Sequence, residues 1–221
     1  EHEKIEDTIR SVERKLNDKM NVLTNEDIPS HNPYYRYVLE EMCGGITHKE
    51  FQDTKISRSQ NAMDYIEWNG GNYKDVSKWM YKQGYTKLAE RCIAMYNKLS
   101  EGGNIMRKIC HFPKGTIGAF VGHMPKHLTH PDEDRYLTLR ECLSIMKLPK
   151  DFELQGGVKN LNHICQNVPV TTAGDMAVHV EKFVDGRLSN QLLDTDFLIQ
   201  DNTNHKLNFE KNSVQLDAFM V

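Results

Sequence analysis

Apolar residues recur every three or four positions in three segments of the first hundred residues. Residues 3–18 are highly charged and predict a helix with one apolar side, formed by Ile5, Ile9, Val12 and Leu16. Residues 73–80 predict a second helix, with an apolar face of Tyr73, Val76, Trp79 and Met80. A third helix is predicted over 88–99, with a face of Leu88, Cys92, Met95, Tyr96 and Leu99. Glu101-Gly102-Gly103 ends it, because glycine suits the backbone turn that follows a helix.

A fourth helix is predicted to begin at a capping box. Thr138 precedes Glu141 by three residues, the spacing at which each side chain can bond the backbone N–H of the other residue. The apolar face that follows consists of Leu139, Cys142, Leu143 and Met146. Pro149 limits the length of this helix, because a proline excludes the residue before it from helical conformation.

The last predicted helix follows Asn167-Val168-Pro169, which must be extended before its proline. Thr172 and Asp175 have the form of an N-terminal helix signal. The apolar stripe is Ala173, Met176, Ala177, Val180, Phe183 and Val184, and Gly186 is a natural stop. Between the helices, Asn25 to Pro33 is a polar connection, and residues 104–129 predict short strands with loops. The chain is therefore expected to be mixed α+β.

Composition excludes several classes of protein. The chain is 38% apolar with a net charge of −3, and its mean hydropathy is −0.64. No apolar run approaches the ~20 residues of a membrane span, so no membrane partner is expected. Five cysteines without paired spacing indicate a reducing compartment and no disulfide framework. The predicted location is the cytoplasm.

Charge is unevenly distributed along the chain. Between Lys74 and Lys114 there are nine lysines and arginines against three acids, a pattern that favours local phosphate binding. The alternative for the lysines over 74–98 is a solvated helix face. Small residues and cations also meet in Gly102-Gly103-Asn104-Ile105-Met106-Arg107-Lys108 and in Pro113-Lys114-Gly115-Thr116-Ile117-Gly118. These segments suit close approach of DNA phosphates, unless the glycines merely permit turns.

The stretch 130–170 resembles the end of a DNA cytosine-5 methyltransferase of bacterial or phage type. Arg135-Tyr136-Leu137-Thr138-Leu139-Arg140-Glu141, followed by Leu148-Pro149-Lys150-Asp151-Phe152, is similar to the ninth conserved block of that family. His163-Ile164-Cys165-Gln166-Asn167-Val168-Pro169 is similar to the tenth. The resemblance implies an α/β, Rossmann-like fold for the complete enzyme. It implies that this chain is a mixed α+β target-recognition portion with a C-terminal helix that packs on the cofactor domain.

The resemblance also divides the chain. Residues 1–25 would end the catalytic domain or link to it, and 26–135 would be the target-recognition region. Residues 136–188 would form the conserved helix and the cofactor-closing segment, and 189–221 are a polar tail. The implied partners are double-stranded DNA and the catalytic half of the enzyme, on the same or a separate chain.

Site residues follow in three groups. The S-adenosylmethionine contacts that the resemblance implies are Gln166, Asn167 and Val168, although Asn167 suits a structural turn as well. The candidate DNA contacts are Arg107, Lys108, Lys114, Lys126 and His127. The structural group is Arg135, Thr138, Arg140 and Glu141. For Arg135 and Arg140, contact with neighbouring carboxylates is favoured over contact with phosphate.

No catalytic residue is predicted, because the catalytic blocks of the family are missing. Cytosine-5 methylation needs a cysteine nucleophile, and the chain has no Pro-Cys dipeptide and no glycine-rich cofactor loop. Cys110 has positive neighbours, Arg107 and Lys108, which can lower the pKa of a thiol, but it is a poor candidate. The chain is therefore expected to be the C-terminal portion of an enzyme and to be inactive on its own. The alternative is a non-catalytic DNA-binding subunit or interaction module derived from such an enzyme.

Three histidines within eight residues, His123, His127 and His130, raise the question of a zinc site. Pro125 disrupts any helix that would align them, and no cysteine or acid completes a recognised spacing. No metal is predicted.

Overall fold

The computed structural model describes residues 3–118, 120, 122 and 124–187. The chain divides into two compact units, Glu1–Ala173 and Gly174–Val221. The described part is mixed α/β and mostly helical, as predicted, and the predicted tail 189–221 lies outside it. Its α-helices are α1 (Ile5–Arg10), α2 (Pro33–Tyr37), α3 (His48–Thr54), α4 (Ala62–Trp68), α5 (Tyr73–Lys82), α6 (Thr86–Ser100), α7 (Leu139–Ile145) and α8 (Val170–Val184).

Shorter elements connect these helices. A π-helix, Val38–Met42, follows α2, and 3-10 helices span Pro29–His31, Met124–Lys126 and Gly157–Gln166. Two strands, β1 (Gln60–Asn61) and β2 (His111–Phe112), pair antiparallel, with Gln60 opposite Phe112. His111 also bridges Leu128. The strands predicted over 104–129 are thus reduced to β2 and isolated bridges in the described residues. No described helix has the length and apolar character that crossing a bilayer requires.

The first hydrophobic core lies among α2 to α6 and β2 and is rich in aromatic rings. Phe51 is fully buried, and its ring centroid lies 5.4 Å from that of Tyr35 and 5.0 Å from that of Phe112. Edge-on pairs at this separation add to the free energy of burial. The two helices predicted over 73–80 and 88–99 are confirmed as α5 and α6, which pack against each other.

The second core surrounds α7 and the 3-10 helix Gly157–Gln166. Leu139, Leu143, Leu161 and Ile164 are buried in it, together with Ile9 of α1. Cysteines occur in both cores. Cys92 in the first and Cys142 in the second have no exposed surface, which confirms the prediction that they act as small apolar residues.

The helix predicted over 3–18 is too long. It ends at Arg10, and Leu16 is fully exposed. The segment 11–17 that follows is held at its two ends by ion pairs and not by apolar packing. Arg10 pairs with Asp132 before the segment, and Asp18 pairs with Arg140 after it. Helical spacing alone therefore misassigned residues 11–18, where no apolar surface receives Leu16.

The start of α8 also differs from the prediction. The helix begins at Val170, directly after Pro169, so Thr172 lies inside it and is not its cap. Its end is as predicted. Gly186 has a φ of 64°, and the N–H groups of Gly186 and Arg187 donate to the carbonyls of Phe183 and Lys182.

Lys147 occupies a position after α7 that favours glycine. Its φ is 55°, and the N–H groups of Lys147 and Leu148 donate to Ser144 and Leu143 in the bonding pattern that ends α7. We expect Lys147→Gly to be more stable than Lys147→Ala by about 1 kcal/mol, because only alanine keeps the Cβ that strains this conformation. Both variants lose the bond from Lys147 Nζ to Glu3, so that loss cancels in the comparison. Urea unfolding of the two variants measures the difference, and equal stabilities would contradict the expectation.

Candidate functional site

The predicted capping box is present at the start of α7. Glu141 N–H donates to Thr138 Oγ1 at 3.2 Å, and Thr138 N–H donates to Glu141 Oε2 at 2.7 Å. Arg135 binds the same carboxylate through two nitrogens, at 2.9 and 2.8 Å. Glu141 is only 1% exposed, so Arg135 balances a buried charge. This geometry places Arg135 in a structural position.

Arg140 makes a second structural contact on the same helix. Its guanidinium donates to both carboxylate oxygens of Asp18, at 2.5 and 2.9 Å, and to the carbonyl of Phe152 at 2.8 Å. The bond from Arg140 lowers the pKa of the Asp18 carboxyl, against the opposing effect of burial. Both arginines of the ninth-block motif therefore contact carboxylates, as the favoured interpretation expects.

Three of the five candidate DNA contacts line one cleft of about 320 Å³. The cleft is formed by Asn61, Met106, Arg107, Lys108, His111, Met124 and His127. Lys126 is exposed in the adjoining turn Met124–Lys126. Lys114 does not line the cleft, and its Nζ donates to the carbonyl of Gln52 at 3.3 Å.

The cations of this cleft are not equivalent. Arg107 donates to both carboxylate oxygens of Glu67 at 2.8 Å, and also to Asn104 Oδ1 at 2.8 Å. Its charge is therefore matched by a neighbouring acid. Lys108 and Lys126 form no ion pair within the described part of the chain, which leaves their charges available to a bound anion.

The sequence did not single out His111 and Asn61 as cleft residues. The His111 N–H donates to the carbonyl of His127 at 2.6 Å, and the His111 ring lies 3.2 Å from Ser59 Oγ. Asn61 caps α4 through bonds to the N–H groups of Met63 and Asp64. Pairing of β1 with β2 brings the two residues together across fifty positions of the chain, and no local pattern reveals such a contact.

One buried histidine, His130, and one half-buried histidine, His111, make the fold sensitive to acid. Burial lowers the pKa of His130 to about 4, with a further contribution from Arg135, and its Nδ1 accepts the N–H groups of Asp132 and Glu133. Burial and then His127 lower the pKa of His111 to about 4. Both rings are therefore neutral at pH 7 in the folded chain.

We expect the free energy of unfolding to fall as the pH drops from about 6.5 to about 4. The unfolded chain binds protons on both histidines in this window and the folded chain does not, so each contributes a slope of up to about 1.4 kcal/mol per pH unit. Their contribution is complete above pH 6.5 and is lost as the pH falls toward 4. Urea unfolding at intervals between pH 7.5 and 4 measures the slope. His130→Gln should flatten it, and an unchanged slope in that variant would contradict the assignment.

Cys110 is not an activated thiol. Burial raises its pKa to about 12, and its Sγ lies 3.3 Å from the hydroxyl of Tyr136. Burial outweighs any lowering of this pKa by the neighbouring Arg107 and Lys108, and the Arg107 guanidinium is bound to Glu67. A thiol in this state is a core group and a poor nucleophile.

The described residues contain no cluster of three or more histidines, cysteines or acids able to hold a metal. His123 lies outside the described residues. His130 is buried, and its ring nitrogen Nδ1 accepts a hydrogen bond from the N–H of Asp132 in the same loop.

Two of the three candidate cofactor contacts line a smaller cavity of about 240 Å³. Its walls are Leu143, Met146, Leu148, Phe152, Leu154, His163, Ile164, Asn167 and Val168. Gln166 ends the preceding 3-10 helix and does not line this cavity. Asn167 is extended, as predicted, and its amide donates to the carbonyl of His163 at 2.6 Å.

This cavity is too small for the whole of S-adenosylmethionine, the cofactor that the resemblance implies. Its apolar walls suit a heterocycle, whereas a complete drug-sized ligand needs roughly 300 Å³ or more. The side-chain oxygen of Asn167 can accept a hydrogen bond, because only the amide nitrogen is used by His163. The residues present are thus suited to one wall of a cofactor site.

Comparison of the chain with models of protein families, with curated proteins and with solved structures finds no match.

Proposed function

We propose that the chain is the DNA-binding, cofactor-closing C-terminal portion of a DNA (cytosine-5)-methyltransferase, whose catalytic cysteine lies outside it. The observation that carries this proposal is the meeting of the two resembling segments at α7. Leu143 of α7 and Met146, which directly follows α7, share a cavity with Asn167 and Val168, and Val170 N–H donates to the carbonyl of Met146 at 3.2 Å. Residues more than twenty positions apart in the chain thus build one framework.

The same framework suits the division of labour in such an enzyme. Lys108 and Lys126 are available to DNA phosphates beside the cleft, and contacts of this kind position a protein on the duplex. Asn167 and the apolar walls near it would hold one side of S-adenosylmethionine, which supplies the methyl group. The target cytosine must leave the stacked duplex before it can react, so the task of this chain is to hold the DNA while that base is out.

The exposed apolar side of α8 supports the presence of a further protein surface in the complete enzyme. Met176, Val180, Phe183 and Val184 are each at least 61% exposed. A row of large apolar side chains in water marks an interaction surface more often than a free one. The resemblance implies that this helix packs against the catalytic half of the enzyme.

Transfer of a tritiated methyl group from S-adenosylmethionine to duplex DNA tests the proposal. We expect no transfer by the 221-residue chain and measurable transfer by the protein that joins or combines it with its catalytic half. Methyl transfer by the isolated chain would refute the proposal that the catalytic cysteine lies outside it. Duplex binding without transfer in any combination would favour the alternative, a non-catalytic DNA-binding subunit.

Asn167→Ala in the complete enzyme tests the cofactor wall. Loss of one hydrogen bond is worth about 1 kcal/mol, so we expect the dissociation constant for S-adenosylmethionine to rise about fivefold. Asn167→Asp is the matched control, since it keeps the accepting oxygen and removes the amide that binds His163. If both variants melt at lower temperature and bind the cofactor normally, Asn167 is a turn residue only.

A further inference from the structure

Trp68, the last residue of α4, is exposed in an unusual way. Its side chain is 52% exposed, and the guanidinium carbon of Arg58 lies 4.2 Å from the centre of its ring. The other tryptophan, Trp79, is only 6% exposed, within the aromatic core. An indole carries a large apolar surface that proteins generally bury. The ring of Trp68 is therefore exposed to water and does not pack in the hydrophobic core.

The surroundings of Trp68 are positively charged. The two nearby acids of α4, Asp64 and Glu67, are matched by Arg107, whose guanidinium lies 3.7 Å from Asp64 and 2.8 Å from Glu67. Two further cations belong to this part of the chain, since Arg58 lies over the Trp68 ring and Lys108 lines the cleft next to Arg107. Three cations against two acids leave an excess of positive charge, which favours an anionic partner.

Arg107 connects α4, the helix that ends in Trp68, with the cleft. Arg107 lines the cleft and also binds Glu67, the residue before Trp68. Met106, next to Arg107, is 64% exposed at the cleft. Lys108, which follows Arg107 and forms no ion pair among the described residues, thus lies on the cleft side of this connection, and Arg58 lies over the Trp68 ring on the other.

We propose that Arg58 and Trp68 form a stacking platform for one unpaired base of a bound DNA strand, with Lys108 against the adjoining phosphate. Arg58 covers one face of the indole, and the exposed part of the ring receives the base. Only an unstacked base presents its face to a protein side chain, and an enzyme that extrudes a base from a duplex creates such strands. In that respect the inference rests on the proposed function. The excess of cations favours nucleic acid over a proline-rich peptide, the other ligand that exposed aromatic surfaces bind.

Binding of three labelled DNAs to the 221-residue chain tests the platform. The DNAs are a perfect duplex, the same duplex with one unpaired base, and the single strand. We expect Trp68→Ala to weaken binding of the last two by roughly tenfold, within the range found when stacked aromatic residues are replaced. Binding of the perfect duplex should change less than twofold. Trp68→Phe should restore most of the loss, because it keeps an aromatic face.

Tyr81→Ala is the matched control, because Tyr81 is 49% exposed on α5 and no cation lies over its ring among the described residues. It should bind all three DNAs like the original chain. Trp68 is exposed, so circular dichroism of Trp68→Ala should be unchanged. Loss of fold in that variant would count against a free platform.

Intrinsic fluorescence gives an independent readout, because only Trp68 of the two tryptophans is accessible. The DNA with one unpaired base should quench the emission of the original chain, and Trp68→Phe should show no quenching at similar affinity. Equal loss on all DNAs, or no loss, overturns the platform while duplex binding still supports the proposed function. A chain that binds single strands but no duplex supports the platform and contradicts the proposed function. Quenching by a proline-rich peptide and by no DNA overturns the platform as a nucleic-acid site.

Discussion

Replacement of Glu141 by alanine is expected to lower the free energy of unfolding by about 3 kcal/mol, because it removes the buried one of the two carboxylate partners of Arg135 and leaves only the half-exposed Glu133. Glu141 accepts two bonds from Arg135 and one from the N–H of Thr138, and it is almost fully buried. The variant therefore loses the ion pair and one half of the capping box together. Urea unfolding monitored by circular dichroism measures the loss.

The matched control for this prediction is a double variant, Glu141→Gln with Arg135→Met. Glutamine keeps an oxygen for the N–H of Thr138, and methionine removes the guanidinium, which would otherwise keep only Glu133 as its carboxylate partner. We expect the double variant to be more stable than Glu141→Ala by about 1 kcal/mol, since a mostly buried guanidinium that has lost its buried partner costs more than an apolar replacement. A double variant as unstable as the single one would show that the ion pair does not dominate.

Replacement of Arg107 by alanine is expected to destabilise the fold by about 2–3 kcal/mol, the range for losing hydrogen bonds to a charged partner. Arg107 and Glu67 are each only 24% exposed, and Glu67 also accepts the hydroxyl hydrogen bond of Tyr73 at 2.8 Å. Loss of the guanidinium therefore leaves a half-buried carboxylate next to the aromatic core. Thermal and urea unfolding measure this effect.

Lys108→Ala and Lys126→Ala are the controls for Arg107. Neither lysine has an ion-pair partner in the described part of the chain, so both variants should melt like the original protein. Each should weaken duplex binding and lower the slope of its salt dependence by about one. If Arg107→Ala keeps full stability and alone weakens DNA binding, the pairing with Glu67 has been overrated and Arg107 is a phosphate contact.

The sequence predicted the parts of the fold that depend on local spacing. Helices α5 and α6 bury the apolar faces that their spacing predicts, and the capping box of Thr138 and Glu141 depends on residues three positions apart. Residues 11–18 show the limit of this reasoning. Their spacing is also helical, but a helix forms only where its apolar face meets another surface, and none receives Leu16.

The candidate site was only half predictable for a related reason. Arg107, Lys108 and His127 were expected from charge and from the segments around them, and they line one cleft. The partner of Arg107 lies forty residues away, at Glu67. No local sequence pattern predicts this pairing or the position of His111 next to Asn61. Long-range pairs of this kind decide which cation is free, and they follow only from the fold.

The order of the two cores along the chain has an evolutionary consequence. Apart from Tyr136, the aromatic core uses residues between Tyr34 and Phe112, whereas the second core draws on residues before and after that stretch. The two ends of the intervening segment meet, since the Thr24 hydroxyl donates to the carbonyls of Pro125 and Leu137 at 2.9 Å. A segment whose ends lie side by side can be exchanged for another while its host keeps its own packing. Natural variation in length and sequence is therefore least costly between Tyr34 and Phe112, because Phe120, which also lies between Thr24 and Pro125, belongs to the second core.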